Sequence, residues 1–340
     1  MSKLIDKLLN KSAEERYQNA QGLKVDLEKC LQAYQQDQLI EMFELGESDI
    51  SDRFQISQKL YGRSAQVNSL LTHFNQVTGG QPQLLCVSGY SGVGKSVLIN
   101  EVHKPIAAHN GLFLSGKFDQ FKRTTPYFAF QQMLKTWLLK ILSLPEDQLV
   151  IYRENLNAAL GANARVLIDV MVEFKPLLGD LPNVPVLGAD EAQNRLNSIL
   201  LDLVGFIAGD KTLVIFIDDL QWADRGTLNL LPQLMSAGSR ADLSGDSSKG
   251  LNHDASAENH GCRLLLLVAY RDNEVDDHHP AMHTLKQIEA DYASATSLAL
   301  KPLAVDQINQ LLVDALHQTS KSTHSLAELV AHKQVAILFL

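Results

Sequence analysis

Residues 84–99 read Leu-Leu-Cys-Val-Ser-Gly-Tyr-Ser-Gly-Val-Gly-Lys-Ser-Val-Leu-Ile. The central eight residues, 89–96, fit the pattern G-x-x-x-x-G-K-[ST]. An apolar run over 84–87 precedes the pattern, and a second apolar run over 97–99 follows it. A strand, a glycine-rich loop and a helix are therefore predicted in that order.

This pattern has a chemical reason. Its three glycines lack Cβ, so the chain can take positive φ and bring several backbone N–H groups against one anion, next to the positive end of the following helix. Lys95 is then expected to reach the β- and γ-phosphates of ATP, and the Ser96 hydroxyl to ligate Mg²⁺. The alternative is a chance match, which the flanking runs disfavour. The candidate nucleotide-binding residues of the loop are Gly89, Ser91, Gly92, Val93, Gly94, Lys95 and Ser96.

A pair of carboxylates gives the second signal. The apolar run 213–217 ends in Asp218 and Asp219. In a parallel sheet the carboxyl ends of the strands open onto the ligand crevice, so both acids should face the triphosphate. We expect Asp218 to hold Mg²⁺ through water and Asp219 to orient or deprotonate the attacking water. The alternative is that the acids only cap the helix that follows at Leu220.

Another candidate follows the buried run 264–270. Arg271 comes directly after this predicted strand, at the place of a residue that contacts the γ-phosphate and reports hydrolysis. The alternative is a surface arginine that pairs with Asp272 or Glu274.

Weaker candidates lie elsewhere. Arg63 precedes the first predicted helix of this region and is expected near the adenine or the phosphates. Residues 117–120 stand at a predicted strand end and are ranked lower for the same crevice. Trp222 and Asp224 are interpreted as packing and loop-capping residues rather than catalysts.

Composition narrows the class of protein. A length of 340 residues gives room for two domains, and an apolar content of 45% is enough for a buried core. The formal net charge is −9. The acidic balance argues against binding nucleic acid or an anionic membrane. The three cysteines are far apart and lack metal-like spacing, which fits a reducing compartment. We find no signal segment and no run of about 18 apolar residues, so a soluble, cytoplasmic protein is expected.

Strands that alternate with helices predict an α/β fold: a P-loop NTPase whose parallel sheet is flanked by helices. We place this domain at 59–303, after a helical segment (1–36) and an acidic linker (37–58), with a further helical part at 304–340. Residues 237–261 are polar and are interpreted as a surface insertion. Its histidines and acids lack a metal-binding spacing rule, so a solvated loop is favoured over a metal site.

Six segments together resemble the predicted ATPase module of large bacterial multi-domain signalling kinases, a module similar to Orc1-like AAA ATPases and to the wider STAND class. In such proteins a Ser/Thr kinase domain precedes the ATPase, and sensor domains and often a histidine kinase follow. The resemblance covers about residues 55–316 and implies an ATP-driven switch that works with other signalling domains. The segments are 61–63, 89–96, 116–120, 191–195, 218–224 and 270–274.

The two ends of the chain also bear on this resemblance. Residues 4–9, 14–17 and 26–27 resemble the last helices of a Ser/Thr kinase C-lobe, but the catalytic parts of a kinase are missing, so no protein kinase activity is expected. Related modules continue with a Gly-Asn-Pro-Phe-Phe-type segment and a helical lid, where this chain ends in the apolar run 335–340. A truncated gene product is therefore the expectation.

The chain also departs from the family near its first helix. Related modules have Gly-Arg-Glu where this chain has Gly62, Arg63 and Ser64.

Two functions remain open at this point. One is an ATP-binding, slowly hydrolysing switch module. The other is a non-enzymatic interaction fragment that binds nucleotide without turnover. A DNA-replication ATPase is disfavoured by the acidic charge and by the lack of a recognisable DNA-binding helix pair. The sequence leaves a homo-oligomer open.

Overall fold

The computed structural model describes residues 2–10, 16–36, 43–47, 49, 60–78, 80–109, 111–122, 125–239, 263–292, 294–316 and 318–337. Most of the expected insertion at 237–261, with its histidines, lies outside these residues, and so does most of the expected linker. The chain divides into two compact units. The larger is Arg63–Pro302, and the smaller combines Met1–Gly62 with Leu303–Leu340.

The larger unit is built on a parallel sheet of five strands in the order β2-β3-β4-β1-β5. The α/β P-loop fold predicted from the sequence is confirmed. The strands are β1 (Gln83–Ser88), β2 (Leu112–Lys117), β3 (Leu213–Asp218), β4 (Leu264–Tyr270) and β5 (Ala295–Ala299).

The burial of each strand follows from its place in this order. Every residue of β1, β3 and β4 is buried, whereas the edge strands β2 and β5 are partly exposed. Strands that are covered on both faces need continuous apolar runs, which is why the three central strands give the strongest sequence signals. Edge strands bury less apolar surface and give weaker ones.

Helices cover both faces of the sheet. On one face, α3 buries Leu70, Phe74 and Val77 and contacts β1 and β4. On the other face, alternate strand residues such as Ile215 and Leu266 share one core with the helices between β2 and β4. The helices are α1 (Ser2–Leu8), α2 (Ala20–Gln35), α3 (Ser64–Thr78), α4 (Lys95–Asn100), α5 (His103–Ala108), α6 (Phe128–Leu142), α7 (Glu146–Leu160), α8 (Ala164–Val170), α9 (Lys175–Leu178), α10 (Ala189–Ala208), α11 (Arg225–Ser239), α12 (Pro280–Asp291), α13 (Val305–Leu316) and α14 (Ser320–Ile337).

In the smaller unit, α13 and α14 pack against each other around Ile308, Leu312 and Ala327. A buried hydrogen bond of 2.6 Å from Thr323 Oγ1 to Asn309 Oδ1 joins the same two helices. The apolar contact and the paired polar groups together fix this helix pair.

The apolar side chains at the start of the smaller unit are buried unequally. Leu4 is buried, whereas Ile5, Leu8 and Leu9 are exposed. The described residues of the expected linker contact the start of α2, because the Asp49 carboxylate accepts hydrogen bonds from the backbone N–H groups of residues 18 and 19 at 2.7 and 3.0 Å.

Within the described ranges, no helix combines the length and the apolar content that crossing a membrane requires.

Candidate nucleotide-binding site

The candidate site lies at the carboxyl ends of four neighbouring strands. The glycine loop follows β1, Arg271 follows β4, Asp218 ends β3 and Lys117 ends β2. Strand register aligns these ends, since Lys117 pairs with Asp218 across β2 and β3. The sheet therefore brings together side chains that are more than a hundred residues apart in sequence.

The loop itself shows the backbone that its glycines predict. Gly89, Gly92 and Gly94 have φ of +148°, +76° and +98°, a region that side chains with Cβ rarely adopt. Gly94 directly precedes α4, and residues of the loop and of the first turn of α4 line one cavity. This is the geometry of an anion cradle.

Gly89 is confined by its neighbours as well as by its φ. A Cβ at this position would lie 2.8 Å from the Leu300 carbonyl oxygen and 3.0 Å from Val93 Cγ1. The Leu300 amide also donates to the Ser88 carbonyl at 2.8 Å, so this stretch of backbone has little room to move.

Gly89→Ala is expected to lower the free energy of unfolding by about 1–3 kcal/mol, the usual cost of one strained backbone position. Urea denaturation of both proteins measures the change. Gly80→Ala is the comparison for backbone strain alone, because Gly80 has φ of +95° but no described atom within 4 Å of a built Cβ; a larger loss in Gly89→Ala measures the added contact with Leu300. A Gly89 variant as stable as the wild type would show that the loop has a different conformation in solution.

Lys95 folds back onto its own loop. Its Nζ donates to the carbonyl oxygens of Gly89 at 2.6 Å and Tyr90 at 2.9 Å. The side chain is buried, and this burial lowers the pKa of Lys95, while the charges of Asp218 and Asp219 oppose the shift. The ammonium group is thus held beside the cradle.

Ser96 and Asp218 meet in the same place. Ser96 Oγ donates to Asp218 Oδ2 at 2.9 Å, although 122 positions separate the two residues. A hydroxyl and a carboxylate are hard oxygen donors of the kind that Mg²⁺ prefers, and Mg²⁺ is usually held by only one or two protein groups. These two residues therefore fit a magnesium ion bound together with nucleotide phosphates.

Asp219 takes an unusual backbone conformation, with φ of +54° and ψ of +47°. It precedes the short 3₁₀ helix Leu220–Trp222, but its side chain makes no capping hydrogen bond there, so the capping alternative does not describe this residue. The buried carboxylate instead faces cations: its Oδ1 lies 3.2 Å from Arg271 Nε, and its Oδ2 lies 3.0 Å from Lys117 Nζ. Oδ1 also accepts hydrogen bonds, whereas among the residues that the structure describes the buried Oδ2 has the ion-pair contact with Lys117 but no hydrogen bond.

Arg271 is held from several sides. Its Nη1 donates to Glu274 at 2.6 Å, and its guanidinium lies 4.7 Å from the centroid of the Trp222 ring. The pairing with Glu274 that was open as an alternative is therefore present, together with the contact to Asp219. Burial lowers the pKa of Arg271, but the hydrogen bond to Glu274 and the two acidic charges outweigh it and raise the pKa overall.

Gln221 is a member of the site to which the sequence interpretation gave no role. Its buried amide donates to Asp219 Oδ1 at 3.1 Å and to Glu274 at 3.3 Å, and its Oε1 accepts from the Arg271 backbone N–H at 3.2 Å. It joins the end of β3 to the end of β4. The available signal was its position, two residues after the acid pair.

Lys117 was ranked low from the sequence, and the structure places it in the site. Its Nζ lies 3.0 Å from Asp219 Oδ2 and 3.6 Å from Asp218 Oδ2. Burial lowers the pKa of Lys117, but the close contact with Asp219 and the charges of both acids outweigh it and raise the pKa overall. Lys117 therefore contacts both acids.

Arg63 lies behind the loop rather than in front of it. Its Nη2 donates to the carbonyl oxygens of Val93 at 3.2 Å and Lys301 at 2.6 Å, and burial lowers its pKa. Arg63 therefore supports the loop through its hydrogen bond to the Val93 carbonyl oxygen. Asp224 caps α11, as its sequence position indicates, because its Oδ1 accepts from the Thr227 amide at 2.9 Å.

The glycine loop, the acid pair, Lys117 and Arg271 line one open cavity of about 220 Å³. A site that encloses a whole small molecule has roughly 300–1,000 Å³, so this cavity suits the phosphate end of a nucleotide. Its lining residues are Ser91, Gly92, Gly94, Lys95, Ser96, Val97, Lys117, Asp218, Asp219 and Arg271.

Comparison with known proteins gives a family and several similar chains. The family model for the AAA ATPase domain matches residues 59–244. A similar curated protein is hybrid signal transduction histidine kinase G of Dictyostelium discoideum, which is 34% identical over 258 residues. That match spans 70% of this chain but 8% of the length of the relative.

Solved structures resemble the chain at 12–13% identity and TM-scores of 0.36–0.37. The Orc1 protein of Aeropyrum pernix, in complex with DNA, is matched over 77% of this chain and 51% of that protein. A Walker-type ATPase of Pyrococcus abyssi is matched over 82% and 66%, respectively. A STAND protein of Pyrococcus horikoshii with a tetratricopeptide repeat sensor is matched over 81% and 28%.

The family match extends over more than half of the chain and includes the glycine loop and the acid pair. The geometry around Ser96 and Asp218 agrees with it. The chain belongs to the family of AAA ATPase domains.

Proposed function

We propose that this chain is an ATP-binding and slowly ATP-hydrolysing switch module of a multi-domain signalling protein. The observation that carries the proposal is the hydrogen bond between Ser96 and Asp218, because it puts the end of the glycine loop and the acid pair in one cavity. A phosphate cradle and a carboxylate pair at this spacing suit hydrolysis of a triphosphate.

Each role follows from the position of the group. The loop amides and Lys95 bind the β- and γ-phosphates, and Ser96 and Asp218 hold Mg²⁺. The bound metal ion supplies positive charge to the phosphate oxygens. Asp219 accepts a proton from the water whose oxygen bonds to the γ-phosphorus, and the bond from that phosphorus to the β-phosphate oxygen breaks, which leaves ADP and inorganic phosphate. Arg271 contacts the γ-phosphate.

The signalling context rests on the relative and on the resemblance of the N-terminal segment. The Dictyostelium protein is named as a signal transduction histidine kinase, and this chain matches a small part of it. We propose that residues 59–303 form the ATPase domain, that 1–36 derive from a kinase C-lobe joined by the linker 37–58, and that 304–340 begin a helical lid. In this proposal its partners are other signalling domains.

A thermal denaturation experiment tests nucleotide binding directly. At a concentration of Mg·ATP one hundred times its Kd, the ligand adds about 2.7 kcal/mol of stability, which raises the Tm of a unit of this size by roughly 5–10 °C. Mg²⁺ alone and ATP with EDTA serve as controls. An unchanged Tm at millimolar Mg·ATP would count against the proposed function.

One observation favours a second function, a nucleotide-binding scaffold without turnover. Both oxygens of Asp219 face cations, so neither is open to a water molecule in this arrangement. A malachite-green phosphate assay separates the two functions. Binding of Mg·ATP without release of phosphate would select the scaffold.

A further inference from the structure

Lys117 differs from the other cations of the site in how it is held. Lys95 is buried and bonded to two carbonyl oxygens of the loop. Arg271 is fixed by Glu274, by Asp219 and by the ring of Trp222. The Lys117 side chain is 59% exposed, and its described contacts in the site are the two acids. A flexible four-carbon stem lets its ammonium group move without disturbing a core.

The ammonium group stands next to the place where a γ-phosphate would lie. Lys117 Nζ is 3.6 Å from Asp218 Oδ2, the same oxygen that accepts the hydrogen bond from Ser96. Ser96 and Asp218 are the residues that would hold the metal, and Lys117 lines the same cavity as they do. A phosphate bound in this cavity therefore lies close to Lys117.

We propose that Lys117 is a specificity-determining residue that distinguishes ATP from ADP in this site. In the structure its ammonium group contacts both acids. With a triphosphate bound, Lys117 would instead donate to the γ-phosphate oxygens, while Ser96 and Asp218 would hold Mg²⁺. ADP offers no such oxygens, so the contact is specific to the triphosphate. The proposal rests on the proposed function and adds a role that its loop and acid pair do not supply.

The same movement has a consequence for Asp219. When Lys117 leaves, Oδ2 of Asp219 loses its cation and becomes accessible to water. The contact with Lys117 therefore covers this oxygen of the proposed base, and a triphosphate that draws Lys117 away would uncover it. The exchange depends on charge, because an ammonium group is attracted by both the carboxylates and the phosphate oxygens.

Calorimetric titration of the full chain with a non-hydrolysable β,γ-imido analogue of ATP and with ADP, both with Mg²⁺, tests the assignment. For Lys117→Gln we expect the Kd of the triphosphate to rise about tenfold, the effect of one charge-assisted hydrogen bond, while the Kd of ADP changes less than about twofold. Lys117→Arg should keep the preference for the triphosphate, because it keeps the positive charge.

The matched control is Lys122→Gln. Lys122 follows on the same segment, but its Nζ lies 4.8 Å from the centroid of the Phe128 ring, and it does not line the cavity. Its removal should leave both affinities unchanged. An equal loss of both affinities in Lys122→Gln and Lys117→Gln would mean a general charge effect and would overturn the assignment.

Three further outcomes are decisive. If the wild type binds both nucleotides and Lys117→Gln keeps their ratio of affinities, Lys117 does not discriminate, while the proposed function stands. If Lys117→Gln binds the triphosphate more tightly, its ammonium group competes with Mg²⁺, and the assignment is wrong. If the wild type binds neither nucleotide, the proposed function fails and this inference fails with it.

Discussion

Lys95→Ala is expected to weaken binding of Mg·ATP by about 1.5–3 kcal/mol, a rise in Kd of roughly ten- to hundredfold. The substitution removes the ammonium group that stands beside the anion cradle, where burial makes its charge more effective than it would be in water. Titration calorimetry with the β,γ-imido analogue measures the change without interference from turnover.

The same variant has a second effect that needs a separate measurement. Lys95 also bonds the carbonyl oxygens of Gly89 and Tyr90, so its removal loosens the loop even without ligand. Thermal denaturation of the nucleotide-free variant reports this loss. Lys135→Ala is the control, because Lys135 forms an exposed ion pair with Glu173 on another part of the unit. An unchanged affinity in Lys95→Ala would place the nucleotide elsewhere.

The central part of the fold could be predicted because its strands are covered on both faces. The runs that became β1, β3 and β4 have no polar face to confuse with a helix. The order of the strands could not be predicted, because β4 lies between β1 and β3 although it follows both in the chain. Local patterns define strands, whereas pairing is decided by tertiary packing.

The candidate site could also be predicted only where local patterns define it. The loop and Asp218 follow from motifs, since the loop comes directly after one buried strand and Asp218 ends another. Lys117 was a lower-ranked candidate that strand pairing brings to the acids, whereas Gln221 is placed in the site by the turn after β3. The left-handed conformation of Asp219 could not be predicted either. Aspartate tolerates this region, but only a small share of aspartates adopt it.

That conformation matters for the choice of test at position 219. Alanine there would add backbone strain to the loss of the carboxylate, so its effect on activity would be ambiguous. Asparagine has nearly the same shape as aspartate and tolerates the left-handed region. Asp219→Asn therefore changes the charge and the proton-accepting oxygen while it preserves the turn. Gln221 can still donate to the remaining carbonyl oxygen.

For Asp219→Asn we expect phosphate release from Mg·ATP to slow by about 10² to 10⁴, the usual contribution of a general base. Binding should persist or tighten, because Lys117 and Arg271 lose a carboxylate that competes with the γ-phosphate for them. Single-turnover phosphate release and titration calorimetry measure the two quantities separately. Asp277→Asn, which removes an exposed carboxylate that pairs with Lys286, should change neither. Turnover at the wild-type rate in Asp219→Asn would assign the base to another group, whereas loss of binding along with turnover would mean that Asp219 holds the site together rather than accepting the proton.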